Sequence, residues 1–257
     1  MIERVLSMYR IVVYNIAYGT GAPANSSANI FNFIRYIMPT RHNFNKISRF
    51  LNSTKADIIG LTEVDTGSFR MSMINQAEKI SKYMNNYHHT TTKYGENIPS
   101  KIIPILRKQG NAVLTKDVNA KSIYHYFPGG FKKLIIEVDM GNFCFFLLHL
   151  ALSQKARKFQ LEHMSNLLST KKVPVIIGGD FNTFRGATEV EDIQKTLNLI
   201  NPNLNHEPTY PSWGPKHQLD FILCSKEIKI KNFEIPKIKL SDHMPVILDF
   251  EIQTSDY

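Results

Sequence analysis

Short apolar runs recur from one end of this sequence to the other, and they restrict the possible folds more than any other feature. Most are four to eight residues long, which is typical of strands buried in a sheet. The runs lie at Ile11 to Tyr14, Ile58 to Leu61, Ala112 to Leu114, Leu134 to Val138, Phe143 to Leu148, Val173 to Ile177, Leu219 to Cys224 and Pro245 to Phe250. The sequence therefore predicts a protein built largely on buried strands.

Helical spacing occurs between only some of these runs. It is found at Phe44, Ile47, Phe50 and Leu51, and again at Phe159, Leu161, Met164, Leu167 and Leu168. Between residues 111 and 150 the strands follow one another without room for helices, so antiparallel pairs must be mixed with crossover units. We predict a single mixed α/β domain over residues 1–257, with the poorly patterned stretch Asn85 to Gln109 as a surface excursion.

Composition excludes several classes of protein. The chain has 257 residues, of which 43% are hydrophobic, enough for a core, and its 13 Gly and 12 Pro exclude collagenous or disordered chains. The two cysteines, Cys144 and Cys224, lie in apolar runs and are predicted to be reduced core thiols. The first apolar stretch is broken at Asn15, too early for a signal sequence or a membrane span, so we expect a cytoplasmic protein without stable membrane insertion.

The balance of charge favours an anionic partner. Lys and Arg number 31 against 22 Asp and Glu, which gives a net charge of +9 and a pI of about 9.4. Nucleic acid, anionic lipid or a phosphorylated small molecule would suit this charge. A Lys-rich protein that binds no polymer at all explains it equally well.

Polar residues fall at the ends of the apolar runs. Four runs end at or just before a polar residue: Asn15, Glu63, His149, and Asp180 with Asn182. Two further runs begin at or just after one: Asp220, and Asp242 with His243. Strands that end at one rim, and antiparallel strands that start there, bring these residues to one edge of the sheets. Each residue alone is explained by a turn, a helix cap or a strand edge, whereas together they indicate a site.

This set of side chains suits the hydrolysis of a phosphate ester. Carboxylate and amide oxygens without thiolates favour a hard cation, Mg²⁺ or Mn²⁺, which neutralises phosphate charge. Asp180 is placed to accept a proton from an attacking water. His243, steadied by Asp220, is placed to stabilise the transition state.

The motifs, taken in order, resemble those of the endonuclease/exonuclease/phosphatase superfamily of metal-dependent phosphoesterases. They span residues 14 to 246, nearly the whole chain. They are Tyr14-Asn15, LTEVD around Glu63, GNAVLT from Gly110, His149-Leu150, GGDFNT from Gly178, LDFILCS around Asp220 and SDHMPV from Ser241.

The resemblance implies a deoxyribonuclease-like fold, a four-layer α/β sandwich of two packed mixed β-sheets flanked by helices. By the same resemblance Glu63 is the principal metal ligand, helped by Asn15 and Asp242 directly or through water. Asp180 is then the group that activates water, and Asn182 is its orienting neighbour. His243, paired with Asp220, and His149 on the opposite side contact the phosphate.

The substrate is less restricted, because this superfamily includes nucleases, sphingomyelinases, inositol-phosphate phosphatases and deadenylases. His149 is unlike the abasic-site endonuclease branch and resembles the pancreatic-type deoxyribonuclease and sphingomyelinase branches. The segment from Thr209 to Trp213 weakly resembles the inositol 5-phosphatase motif, but that motif's cysteine and arginine beside Asp220 are missing. The chain is most similar to generic bacterial members.

We therefore expect a phosphodiesterase or nuclease, with phospholipid, sphingomyelin or inositol-phosphate hydrolysis as the alternative. A catalytically inactive anion-binding module is a third possibility. The phosphoester substrate is the expected partner, and no obligate protein partner is indicated.

The basic window from Lys101 to Lys133 contains Tyr124, Tyr126 and Phe127, a composition that would suit nucleic-acid binding. We slightly favour the alternative, an exposed edge strand protected by lysines with its aromatic residues packed inward. Arg107 and Trp213 are further candidates for contact with substrate.

Overall fold

The structure, a computed structural model, describes residues 6–22, 41–92, 108–128, 132–186 and 188–253. Its α-helices are α1 (Arg41–Thr54), α2 (Gln76–Met84), α3 (Gln154–Ser169) and α4 (Thr188–Leu197). Its strands are β1 (Leu6–Asn15), β2 (Ile58–Asp65), β3 (Tyr87–Thr92), β4 (Gln109–Thr115), β5 (Lys121–Tyr126), β6 (Leu134–Asp139), β7 (Cys144–His149), β8 (Val175–Asp180), β9 (Leu199–Ile200), β10 (Asp220–Ser225), β11 (Lys229–Glu234) and β12 (Val246–Gln253).

The strands form two six-stranded mixed sheets. The first has the order β11-β12-β1-β2-β4-β3 and the second the order β5-β6-β7-β8-β10-β9. Each contains one parallel pair, β1 with β2 and β7 with β8, among antiparallel neighbours. This confirms the predicted α/β sandwich of two mixed sheets flanked by helices.

The inner faces of the two sheets pack against each other. Ile11 and Val13 of β1 lie in one fully buried cluster with Phe145 and Leu147 of β7 and Ile176 of β8. Burying a Leu, Ile or Phe side chain stabilises the folded state by about 1.5–3 kcal/mol, so this layer holds the sheets face to face.

Helices cover the outer face of each sheet. The predicted helical spacing is confirmed in α1, where Phe44, Ile47 and Leu51 are buried against the first sheet. In α3, Leu161 and Met164 are buried against the second sheet, but Phe159 is 49% exposed and lies on the opposite side. The helix therefore has a narrower apolar face than the sequence suggested.

Two glycines allow the sheets to approach closely near one end of the sandwich. A Cβ atom added to Gly60 of β2 would lie 2.8 Å from Leu147 Cδ1, and one added to Gly178 of β8 would lie 2.6 Å from Val13 Cγ2. Larger side chains at these positions would separate the sheets.

Two sequence-based expectations are wrong. The stretch Asn85 to Gln109 is not only a surface excursion, because it contains β3, whose Thr- and His-rich sequence lacks apolar alternation but pairs with β4. The strand β5 is an edge strand, as expected. Phe127, just after it, is packed inward as expected at 1% exposed, but Tyr124 and Tyr126 are 38% and 40% exposed.

The two cysteines are buried and free, in agreement with the sequence-based interpretation. Cys144 faces the helices, and Cys224 faces the core between the sheets. In the described part of the chain, no helix is long and apolar enough to cross a membrane.

Candidate active site

The inward-facing alternation of the core strands continues into polar residues at one end of the sandwich. Asn15 follows the inward-facing Val13 by two residues, as His149 follows Leu147, and both therefore point into the cleft between the sheets. Asp180, the last residue of β8, follows Gly178 of the inner face by two residues. Asp220, the first residue of β10, lies on the same inner face as Ile222. Asp180 and Asp220 pair directly across their strands, and His149 pairs with Asp180 on the other side. His149, Asp180 and Asp220 therefore form one row across three neighbouring strands.

Glu63 reaches the cleft because β2 is irregular at this point. The register between β2 and β4 shifts between Leu61 and Val64, and Glu63 has a left-handed backbone with φ of 56°. A bulge of this kind changes the direction of a side chain. The Glu63 carboxylate, 22% exposed, lies 3.9 Å from His149 Nε2 on the opposite sheet.

Asp180 is the centre of the predicted set. Its Oδ2 accepts a hydrogen bond from Asn15 Nδ2 at 3.0 Å and lies 3.2 Å from His149 Nε2 and 3.8 Å from His243 Nε2. Burial raises the pKa of this carboxyl, but the charges of His149 and His243 outweigh burial and hold the pKa below its ordinary value. Asp180 is therefore ionised at neutral pH.

His243 is held by a buried partner. Its Nδ1 lies 2.8 Å from Asp220 Oδ2, which also accepts a 2.6 Å hydrogen bond from the hydroxyl of the fully buried Thr209. Burial lowers the pKa of His243, but the charges of Asp220 and Asp180 prevail and raise it to about 10. The imidazole is therefore a cation whose Nε2 faces Asp180.

Asn182 and Asn15 fix the Asp180 carboxylate. Asn182 has a left-handed φ of 53°, its backbone N–H donates to Asp180 Oδ1 at 2.9 Å, and its Nδ2 donates to the Leu150 carbonyl at 2.8 Å. The amide oxygen of Asn15 accepts from the backbone N–H of Ala17 at 3.0 Å. The backbone N–H of Asn182 and the side-chain amide of Asn15 thus each hold one oxygen of the Asp180 carboxylate.

Asp242 adds a further carboxylate to the same region. Its Oδ1 accepts a 3.1 Å hydrogen bond from the Ser241 hydroxyl. Burial raises the pKa of Asp242, and the negative charges of Glu63 and Asp180 raise it further. The same three carboxylates, together with burial, raise the pKa of Tyr210. The site thus concentrates negative charge.

Aromatic side chains border this region. The ring of Tyr210 lies 4.8 Å from that of His243, 6.5 Å from that of Trp213 and 5.7 Å from that of Phe184. Trp213 is half-buried and lies beside Tyr210, which in turn lies beside His243. Arg107, the other candidate for substrate contact, lies outside the described residues.

Three residues near the site were not among the sequence-based candidates. Tyr210 and Phe184 are aromatic neighbours of motif residues, in the segment Thr209 to Trp213 and just after the GGDFNT motif. Lys132 was noted only as one lysine of a basic window, yet its Nζ contacts His149 Nε2. No feature of the sequence distinguished it from the neighbouring lysines.

The site can hold a divalent cation. Ligand atoms of Asp180, Asp220 and His243 lie within 4.8 Å of one another and form one possible set. The negative charge of Glu63 also raises the pKa of Asp242, and a cation nearby would relieve that repulsion. Oxygen donors of this kind fit Mg²⁺ or Mn²⁺.

Comparison with known proteins places this site in a family. The sequence profile of the Endonuclease/Exonuclease/phosphatase family matches residues 14–243, and the chain belongs to this family. Its members are phosphoesterases that generally depend on divalent metals. A search of curated protein sequences gave no match.

Solved structures share the fold. An endonuclease/exonuclease/phosphatase family protein from Bacteroides thetaiotaomicron superposes with a TM-score of 0.69 at 14% identity, over 97% of this chain and 100% of the other. The catalytic domain of human nocturnin with bound sulfate gives 0.68 at 17% identity, over 96% of each chain. ANGEL2, a 2′,3′-cyclic phosphatase crystallised with adenosine-2′,3′-vanadate, gives 0.62 at 13% identity, over 99% of this chain and 100% of its own.

Proposed function

We propose that this protein is a Mg²⁺- or Mn²⁺-dependent phosphodiesterase, with nucleic acid favoured over phospholipid and inositol-phosphate substrates. The observation that carries the proposal is the meeting of His149, Asp180 and His243 at one end of the cleft, beside the Glu63 carboxylate. An ionised carboxylate between two imidazoles, next to further carboxylates, combines a proton acceptor, phosphate contacts and cation ligands.

The roles of the residues follow from their contacts. Asp180, ionised and fixed by the backbone of Asn182, accepts the hydrogen bond and then the proton of the attacking water. His243, held as a cation by Asp220, donates from Nε2 to a phosphate oxygen as negative charge develops there. His149 contacts the phosphate from the other side of Asp180.

We assign the cation to Glu63, with Asn15 and Asp242 assisting directly or through water. Asp180, Asp220 and His243 form the alternative set, and they lie close together because His243 is hydrogen-bonded to Asp220. That hydrogen bond already occupies His243 Nδ1, so this set suits the cation less well. When bound, the metal ion neutralises phosphate charge and stabilises the leaving group. The substrate-contact roles of Trp213 and Arg107 remain part of the proposal.

Two observations support a nucleic-acid substrate. The ring of Tyr210 lies beside His243, Phe184 and Trp213 lie beside Tyr210, and aromatic rings are suitable surfaces for stacking bases. The net charge of +9 favours a polyanion.

A different observation favours the phospholipid alternative. Exposed apolar side chains lie in the loops that follow the site-bearing strands, including Met73 (73% exposed) and Phe69 (55%) after β2 and Leu152 (65%) after β7. Such side chains insert into lipid surfaces.

A substrate panel tests the function. The wild-type protein is assayed with Mg²⁺, with Mn²⁺ and with EDTA on single- and double-stranded DNA, RNA, sphingomyelin vesicles, inositol phosphates and bis(p-nitrophenyl) phosphate. We expect metal-stimulated hydrolysis of the aryl diester and of nucleic acid. Asp180→Asn serves as the blank, and Asp192→Asn, an exposed site on α4, as the matched control.

The outcomes separate the alternatives. Preferential hydrolysis of sphingomyelin would transfer the assignment to the lipid alternative. Absence of metal-stimulated turnover on every substrate would leave an inactive anion-binding module and contradict the proposed function. A cytoplasmic location, supported by the two buried free cysteines, belongs to the same proposal.

A further inference from the structure

Lys132 extends toward the site from the short segment between β5 and β6. Its Nζ contacts His149 Nε2, and its side chain is half-buried. The residue is thus a cation directed at the row of polar side chains that ends β7 and β8.

The main chain at Lys132 is held in place by a buried side chain of α3. Gln160 is fully buried, and its Nε2 donates to the Lys132 carbonyl at 2.7 Å. The Oε1 of the same amide accepts from the backbone N–H of Ala151 at 2.9 Å. One glutamine therefore ties Lys132, two residues before β6, to Ala151, two residues after His149.

The surroundings of the ammonium indicate an anion site. Within the described ranges, no carboxylate oxygen lies within 4.0 Å of Lys132 Nζ, although Glu63, Asp180 and Asp220 lie in the site. The ammonium instead meets a ring nitrogen of His149, which also lies 3.2 Å from Asp180 Oδ2. Lys132 can donate one N–H group to this nitrogen, and an ammonium has two further N–H groups, which suit a phosphate oxygen.

Compensation of Asp180 is the simpler alternative explanation. The charge of Lys132 does lower the pKa of Asp180, but its effect ranks below those of His149 and His243. The two histidines thus lower the pKa of this carboxyl more than the lysine does, and charge compensation by the lysine is the smaller contribution.

We propose that Lys132 binds a non-bridging oxygen of the substrate phosphate, on the His149 side of Asp180 and opposite His243. The inference rests on the proposed phosphoesterase function. Lys132 would then contact the phosphate together with the two histidines. Its flexible side chain lets the ammonium reach a phosphate oxygen without a fixed geometry.

The test measures phosphate binding separately from turnover. Inorganic phosphate is titrated calorimetrically into the wild-type protein and into Lys132→Met, Lys132→Arg and Lys133→Met, each with Mg²⁺ and with EDTA. Lys132→Met is expected to weaken phosphate binding about tenfold or more, since a hydrogen bond to a charged group contributes at least that factor. Lys132→Arg should restore most of the affinity, and Lys133→Met, the adjacent lysine, should bind as the wild type does.

Kinetics on bis(p-nitrophenyl) phosphate give a second readout. Lys132→Met should raise KM at least tenfold, with a smaller effect on kcat, because the contact is present in the bound substrate. Thermal unfolding of the variant should match that of Lys133→Met.

Three outcomes are distinguishable. Unchanged phosphate affinity in Lys132→Met overturns the inference. Unchanged phosphate affinity with tighter Mn²⁺ binding would show that the lysine only offsets carboxylate charge, which also overturns it. Lysine-dependent phosphate binding in a protein that hydrolyses no substrate would sustain the inference and refute the proposed function.

Discussion

Glu63 Oε1 lies 3.9 Å from Nε2 of His149, although the two residues belong to different sheets. This approach depends on the bulge in β2, where Glu63 has a left-handed φ of 56°. Regular alternation would have turned the side chain toward the helices, because Leu61 and Ile59 face that side. The bulge therefore places a carboxylate of the first sheet beside His149 of the second sheet.

Glu63→Gln should weaken metal binding more than it disturbs the fold. The substitution removes one negative charge from the carboxylate cluster and keeps the shape of the side chain. We expect the Mg²⁺ concentration for half-maximal activity to rise by about tenfold or more. The measurement is a Mg²⁺ titration of activity with Mn²⁺ binding followed by electron paramagnetic resonance.

Glu162→Gln, on the exposed side of α3, is the matched control for this change. An unchanged metal titration for Glu63→Gln would contradict the assigned role. Loss of Mn²⁺ affinity in Asp220→Asn alone would instead assign the cation to the set of Asp180, Asp220 and His243.

His243→Ala should reduce kcat by about a thousandfold without unfolding the protein. The variant loses the cation that faces Asp180 and leaves Asp220 without its imidazole partner. Steady-state kinetics and circular dichroism test this expectation. His42→Ala, an exposed histidine of α1, should behave as the wild type does. Near-normal turnover of His243→Ala would exclude His243 from the catalytic machinery.

Gly178→Ala should destabilise the protein by about 1–3 kcal/mol, as overpacking of a tight core commonly does. The added methyl group would lie 2.6 Å from Val13 Cγ2 and push the two sheets apart close to Asp180. Urea unfolding measures the change in the free energy of unfolding. Gly214→Ala is the control, since its Cβ position meets open space. Equal stability of the two variants would show that the sheets adjust without cost.

Arg157→Met should destabilise the protein by about 3–5 kcal/mol, the range for breaking a buried ion pair. The guanidinium is 2% exposed, pairs with Glu189 at 2.8 Å, and donates to the carbonyls of Ala151 and Leu152. It thereby fixes the loop that follows His149. Thermal melts of this variant and of Arg49→Met, an exposed arginine on α1, provide the comparison. A melting temperature equal to that of Arg49→Met would show that this buried pair adds nothing.

Neither cysteine should react with Ellman's reagent at pH 8 in the folded protein. Burial raises the pKa of the Cys144 thiol to about 12 and also raises that of Cys224, so both remain protonated. Two thiols should react once the chain is unfolded in guanidinium. Fast labelling of the native protein would show that one of the sheets opens readily.

Much of the fold and the candidate site could be predicted because the polar residues end strands whose inward alternation is regular. Asn15, His149 and Asp180 are examples: their position two residues beyond buried inner-face residues fixes where they point. Glu63 obeys no such rule, since its direction comes from a bulge that apolar patterning does not indicate.

Other features depend on tertiary contacts that have no local signal. The strand β3 is made of Tyr, His and Thr, and it forms because β4 offers an edge for pairing. Lys132 lies among several lysines, and only the glutamine clamp from α3 distinguishes it. The position of Tyr210 beside His243 likewise depends on a loop that folds back over the sheet end.

The row formed by His149, Asp180 and Asp220 belongs to the rigid sheet, whereas Phe69, Leu152 and Trp213 belong to the loops around it. Loops accept sequence changes far more readily than core strands do. Evolution can therefore exchange one substrate for another by altering these loops, and an engineer can graft new ones, while the bond-breaking chemistry underneath stays the same.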